Sequence, residues 1–92
     1  MIRTLIFVTT LSTAASTPST QLLNALYQVE SSGQLNPKDG DKGKAIGPYQ
    51  IWYSYWKDAT DYDKTIGGNY QNCRRKDYAE KVIRAYFSRY AT

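Results

Sequence analysis

Gln21-Leu22-Leu23-Asn24-Ala25-Leu26-Tyr27-Gln28-Val29-Glu30-Ser31-Ser32-Gly33 is a helix with its stop attached. Leu22, Leu26 and Val29, with Leu23 and Ala25 beside them, recur on one side at helical spacing. Gly33 supplies a left-handed C-terminal cap without steric cost. Upstream, Thr17-Pro18-Ser19-Thr20 is a polar boundary able to cap this helix, with Pro18 suited to a first-turn position. Downstream, Gln34 to Ile46 has almost no apolar side chain, so it must form turns or a short exposed hairpin, marked by Asp39-Gly40 and Lys42-Gly43. Gly47 to Ala59 is the densest aromatic stretch, holding Tyr49, Trp52, Tyr53, Tyr55 and Trp56. Trp52, Tyr55 and Trp56 share a helical face, and a second helix is expected to start near Tyr53 or Ser54. Asp61, Asp63, Gly67, Gly68 and Asn69 mark another loop. From Asp77 a final helix is the clearest element: Ala79, Val82, Ile83, Tyr86, Phe87 and Tyr90 form one stripe, and Asp77 and Glu80 stand at its start like a capping box.

The chain has 92 residues with 12 Lys+Arg, 8 Asp+Glu, no His and one Cys, for a net charge of +4. That length suits one small domain. Ser-His and Cys-His catalysis, imidazole metal sites, Cys-cluster zinc and an internal disulfide framework are all excluded, so no metal or cofactor is expected. Acid–base chemistry falls to the carboxylates Glu30, Asp39, Asp41, Asp58, Asp61, Asp63, Asp77 and Glu80. At the start, Met1-Ile2-Arg3-Thr4, the apolar Leu5 to Leu11 and the small residues Ser12 to Ser16 read as a cleaved secretory signal over residues 1–16, leaving a domain over 17–92. The competing reading is a buried N-terminal strand, because Ile6, Val8 and the threonines are β-formers. The apolar run falls short of the ~20 residues of a membrane-spanning helix, so no stable membrane anchor is expected. A secreted domain of this size usually carries disulfides, and this one can form none internally.

Glu30 stands apart from the other carboxylates. It lies in the last turn of the first helix, where the negative end of the helix dipole and partial burial both oppose ionisation. A carboxyl that keeps its proton at neutral pH can donate it to a leaving oxygen, the general-acid role in glycoside hydrolysis. Such a reaction needs a second carboxylate that stays ionised near the forming oxocarbenium ion. Asp39 and Asp41 lie nine and eleven residues later, in a polar loop where solvent and Lys38, Lys42 and Lys44 favour the charged form. At least one of the two is a turn former. The remaining carboxylates read as helix caps or solvated turn residues.

Nine Tyr and two Trp exceed what so small a core can bury, so rings around positions 49 to 56 are expected at the surface, where they can stack on sugars. Tyr49, Tyr53 and Tyr55 are the candidates for a cleft wall, and Trp52 and Trp56 for core. Arg74-Arg75-Lys76 suits an anionic partner, although a short basic run is usually a solvated face.

In order and spacing, Val29-Glu30-Ser31-Ser32-Gly33, a polar loop with Asp41, Gly47-Pro48-Tyr49-Gln50-Ile51, Tyr55-Trp56-Lys57-Asp58 and a terminal helix ending Arg89-Tyr90 resemble the invertebrate-type lysozymes, the destabilase family. The resemblance covers about residues 21–91 and implies a small lysozyme-like α+β fold, mostly helical with a short hairpin. It further implies cleavage of the β-1,4 bonds of peptidoglycan or a related amino-sugar polymer. By position Glu30 matches the family's acid and Asp41 its aspartate, with Asp39 the alternative; Tyr49, Gln50, Tyr53 and Ser54 are expected to line the cleft. The family is cysteine-rich, whereas this chain has Ile46 before Gly47 and Ala59 after Asp58. The isopeptidase activity credited to some members is not carried over, given no His and one Cys. Glu-Ser-Ser-Gly followed by Gly-x-Tyr-Gln-Ile is also similar to the lytic transglycosylases, which use a lone glutamate and leave an anhydro-sugar. From other classes, a non-catalytic glycan-binding module or a cationic membrane-active peptide competes. Nucleic-acid binding is not expected, because the basic residues are scattered. The expected protein is a secreted monomer.

Overall fold

A computed structural model describes residues 19–90. In chain order these form helix α1 (Thr20–Ser31), strands β1 (Ala45–Ile46) and β2 (Ile51–Trp52), helix α2 (Tyr53–Tyr62) and helix α3 (Lys76–Tyr90). Tight 3-10 turns occupy Asp41–Gly43, Lys64–Ile66 and Tyr70–Arg74. The architecture is the mostly helical α+β domain with a short hairpin that was expected. The expected leader over 1–16 lies outside the described residues.

Helix α1 opens on Ser19, whose hydroxyl accepts the N–H of Leu22 at 3.1 Å. Its inward face carries Leu23 and Leu26, each 1% exposed, whereas Val29 is 62% exposed. The expected stripe is thus rotated. At 3.6 residues per turn, Glu30 falls between Leu23 and Leu26, and Val29 lies a third of a turn from Leu23 on the solvent side. Ser32 (φ 56) takes the left-handed position and Gly33 (φ 75) follows it. Their N–H groups close the helix on the carbonyls of Gln28 (2.9 Å) and Tyr27 (3.3 Å).

The hairpin is antiparallel, with Ala45 opposite Trp52 and Ile46 opposite Ile51. Only its first strand falls within residues 34–46, where the hairpin is expected; the rest of that segment adds a single bridge from Gly40 to Ala45. The reason is burial: Ala45, Ile46 and Ile51 all enter the core, while Leu35, the one aliphatic side chain of 34–44, stays 57% exposed. Gly47-Pro48-Tyr49-Gln50 makes the turn, closed by Gln50 N–H on Gly47 O at 3.0 Å. Gly47 has φ +78, and a Cβ there would stand 2.0 Å from the carbonyl oxygen of Cys73. Only glycine fits this close approach.

Helix α3 packs chiefly against α2 and buries Tyr78, Ala79, Val82, Ile83, Ala85 and Phe87. Tyr86 stacks on the buried Tyr55 with ring centroids 3.9 Å apart. Tyr90, expected on the core stripe, is 47% exposed, and its hydroxyl donates to Asp58 instead. Two further expectations fail at the start of α3. Asp77 lies inside the first turn, accepting the N–H of Tyr78 at 2.8 Å. Glu80 caps nothing: its carboxylate accepts the Tyr49 hydroxyl at 2.7 Å and pairs with Lys76 at 2.7 Å. A reciprocal capping box does occur, at Asn69 and Asn72 of the turn before α3. Ile46 and Ala59, where the family resemblance expects cysteines, are 2% and 0% exposed. Cys73 is also fully buried and free, so apolar side chains fill these positions without sulfur bridges.

Candidate active site

The final turn of α1 carries Glu30 half-buried. One turn earlier the Tyr27 ring meets the Tyr49 ring at 5.9 Å, and Lys76 lies over the Tyr27 ring at 5.1 Å. The helix end and the 47–50 turn are thereby docked together. Behind Glu30, the buried Ser31 places its hydroxyl 3.1 Å from the carbonyls of Tyr27 and Gln34, fixing the direction in which the polar loop leaves the helix.

That loop separates the two candidate aspartates. Asp39 is clamped by Arg74 through two parallel bonds, of 2.7 and 3.0 Å. The hydrogen bond from Arg74 holds its carboxyl below the usual aspartate range. Asp41 follows Gly40 with φ 48, and Lys42 repeats the left-handed conformation at φ 59. The double turn carries Asp41 away from Arg74 and onto β2, where its Oδ2 accepts the Trp52 indole N–H at 3.1 Å.

Trp52 is also the rim of a groove of about 430 Å³ lined by Gly43, Lys44, Trp52, Tyr53, Ser54 and Tyr70. Tyr53 is 54% exposed and rests edge-on against Tyr70 (5.5 Å) and tilted against Trp56 (5.4 Å). Its ring is thus presented to solvent on a rigid aromatic base. Tyr70 fastens that base to the hairpin, its hydroxyl lying 2.5 Å from the carbonyl of Ile51 and 3.1 Å from that of Lys44. Burial pushes its phenol up to about 12. Lys44 stands 5.7 Å over the Trp52 ring. A polar-tipped aromatic wall beside a carboxylate is a surface on which a sugar ring can stack and hydrogen-bond.

Of the four residues expected to line the cleft, Tyr53 and Ser54 border this groove and the other two do not. Tyr49 is 0% exposed: its ring is core, and its hydroxyl is taken by Glu80. Burial first, and then that bond, push the phenol well up. Gln50 is 9% exposed and its amide nitrogen faces the carbonyls of Gly47 and Lys38. Tyr55, also expected on the wall, is 3% exposed. Trp52 and Trp56, expected in the core, are instead half-buried, Trp56 donating to the Tyr78 hydroxyl at 3.0 Å.

A larger concavity of about 600 Å³ lies between the end of α2 and α3, lined by Tyr62, Asp63, Thr65, Ile66, Lys81, Arg84, Ala85 and Ser88. Its one carboxylate, Asp63, is engaged by the N–H (3.1 Å) and hydroxyl (2.6 Å) of Thr65. The basic run is neutralised within the molecule: Arg74 pairs with Asp39 (2.7 Å), Arg75 with Asp77 (3.2 Å) and Lys76 with Glu80 (2.7 Å). Cys73 is fully buried, and burial pushes its thiol up to about 12, a setting that disfavours the reactive thiolate. Among the described residues no group of three His, Cys, Asp or Glu could hold a metal ion. No described helix is long and apolar enough to cross a membrane.

Sequence reasoning did not find Trp52, Lys44 or Tyr70 as groove residues. Trp52 and Tyr70 meet there only because the hairpin folds against the turn before α3. A family model described as Destabilase matches residues 19–92. No curated protein and no solved structure matches the chain.

Proposed function

The chain belongs to the destabilase family, the invertebrate-type lysozymes, and from that premise we propose that it cleaves the β-1,4 bonds of peptidoglycan with Glu30 as general acid and Asp41 as its partner. The family is one of lysozyme-type hydrolases. The observation that carries the finer reading is the different fate of the two loop aspartates. Arg74 holds Asp39 on the outside of the loop, whereas Asp41 lies on the Trp52 indole at the rim of the aromatic groove.

In this reading a glycan lies along the wall formed by Trp52, Tyr53, Ser54 and Tyr70. Glu30 gives its proton to the glycosidic oxygen as the bond to the anomeric carbon breaks. Asp41 either stabilises the oxocarbenium-like centre or attacks it, and water completes the exchange. Export through a cleaved leader over residues 1–16 belongs to the same proposal, and N-terminal sequencing of the exported protein tests it.

Glu30→Gln is expected to abolish clearing of a peptidoglycan suspension while the circular dichroism spectrum stays unchanged; full activity in that variant overturns the assignment. Asp41→Asn is expected to lower turnover by on the order of 10²-fold or more. Asp39→Asn should keep most of it, and the reverse order would make Asp39 the partner. An anhydro end on the product, detected by mass spectrometry, would replace hydrolysis by the transglycosylase route. Glycan binding without any cleavage by the parent protein would leave a binding module.

A further inference from the structure

Gln50 has an unusual combination of features for a residue in a hairpin turn. It is a non-glycine with φ 52, and its side chain is buried rather than offered to solvent. Glycine would adopt that backbone freely, so a side chain held there against strain points to a use for the side chain itself. Its Nε2 donates to Gly47 O at 2.9 Å and reaches Lys38 O at 3.4 Å. Gly40 completes the seat: a Cβ on it would lie 2.3 Å from Gln50 Oε1, so the amide end occupies the space that a larger residue would fill. Next to this contact, Gly40 and Ala45 exchange two backbone bonds, of 2.8 and 3.1 Å.

The segment 38–40 is therefore gripped from two sides, by the Gln50 amide within and by Arg74 on Asp39 outside. The chain must then make its left-handed double turn at Asp41 and Lys42, and that turn brings Asp41 to Trp52. We infer that Gln50 is a positioning residue rather than a substrate contact: its amide sets the path of 38–40 and thereby the place of the Asp41 carboxylate. The chemistry selects glutamine. Both facing groups are carbonyl oxygens, so a donor of glutamine length satisfies them, a carboxylate would set acceptor against acceptor, and an apolar side chain would leave Lys38 O without this contact. The inference deepens the glycosidase reading and rests on Asp41 as the second carboxylate.

Gln50→Glu and Gly40→Ala disturb the same contact from opposite sides, the second leaving the Gln50 backbone untouched. Each is expected to lower kcat on purified peptidoglycan by on the order of 10- to 100-fold, the cost of a misplaced catalytic group, with KM within about twofold. In the Asp41→Asn background neither should lower kcat further, because the latch acts through Asp41. Independently of activity, the Trp52 indole proton should exchange faster in both variants when followed by NMR. A raised KM with unchanged kcat would make Gln50 a substrate contact and overturn the inference. So would losses that multiply with Asp41→Asn, or an unchanged Trp52 exchange rate. If Asp41→Asn is itself fully active, the glycosidase assignment of Asp41 fails, and Trp52 exchange alone still decides whether the latch exists. Should Gln50→Glu not fold, Gly40→Ala carries the test.

Discussion

Residues 53–90 and residues 34–50 are built on different physics. The first region is two helices whose apolar faces meet, with Ala59, Ala79, Val82 and Ile83 at 0% exposure. Its stability comes from area removed from water, a non-directional force that tolerates small shifts. The second region buries only Ala45, Ile46, Pro48 and Tyr49 as apolar side chains and is otherwise held by directed contacts: the Gln50 amide, the Arg74–Asp39 clamp, the Tyr49–Glu80 bond and the approach of Gly47 to Cys73. Three of the four described non-glycine residues with positive φ, Asp41, Lys42 and Gln50, lie in it. The candidate catalytic loop is thus the strained, polar part, resting on an apolar base.

The sharpest break of this contrast is Gly47→Ala. Its Cβ would meet Cys73 O at 2.0 Å with the backbone at φ +78, and a loss on the order of 4 kcal/mol is expected from clash and strain together. Urea denaturation should show it, with peptidoglycan clearing lost as well. Ile83→Ala empties fully buried space in the helical region and should cost about 3 kcal/mol. Unlike Gly47→Ala, its folded fraction should clear peptidoglycan at the parent rate, and a loss of specific activity would mean that the two regions are not separable.

Acid sharpens the contrast next. Burial alone would raise the pKa of Glu80, but hydrogen bonds from Lys76 and Tyr49 outweigh it and hold the carboxyl below its ordinary 4.5. A depressed folded-state pKa contributes stability above the unfolded value and loses it as pH falls through the folded one. Thermal midpoints should therefore drop below about pH 4.5, and Glu80→Gln, less stable at neutral pH, should flatten that drop. Asp39, held down by Arg74, adds to it in the same direction. A smaller effect of opposite sign is expected at Tyr55, whose buried hydroxyl has no hydrogen-bond partner among the described residues. Tyr55→Phe should raise stability by ~1 kcal/mol. Smallest of all, Lys57→Ala removes an exposed pair with Asp61 on α2, and no measurable change in midpoint is expected.

Legibility in the sequence followed the same division. The three helices were readable because 3,4-spaced apolar residues report a helical face directly, and α2 begins at Tyr53 as expected. The hairpin leaves no clear trace in the sequence because strands of two residues are too short for an alternating pattern. Glu80 resembles a cap because its nearest sequence neighbours allow that, whereas its deciding partner Tyr49 is 31 residues away. Asp39 and Asp41 look alike in the sequence for the same reason: the contact that distinguishes them, Arg74 on Asp39, comes from 35 residues downstream. A count of rings predicts that some of them lie at the surface, but it does not say that Tyr49 and Tyr55 stay in the core. The site emerges where chain segments distant in sequence meet, and local periodicity carries no record of those meetings.

The single thiol at Cys73 sits sealed in the core. With one cysteine in the chain, a denatured molecule has no partners to sort and no wrong intramolecular bridges to undo. Refolding from urea should run to completion in the presence or absence of dithiothreitol, with a rate independent of any oxidant, because the return to the native state involves only rotation and packing.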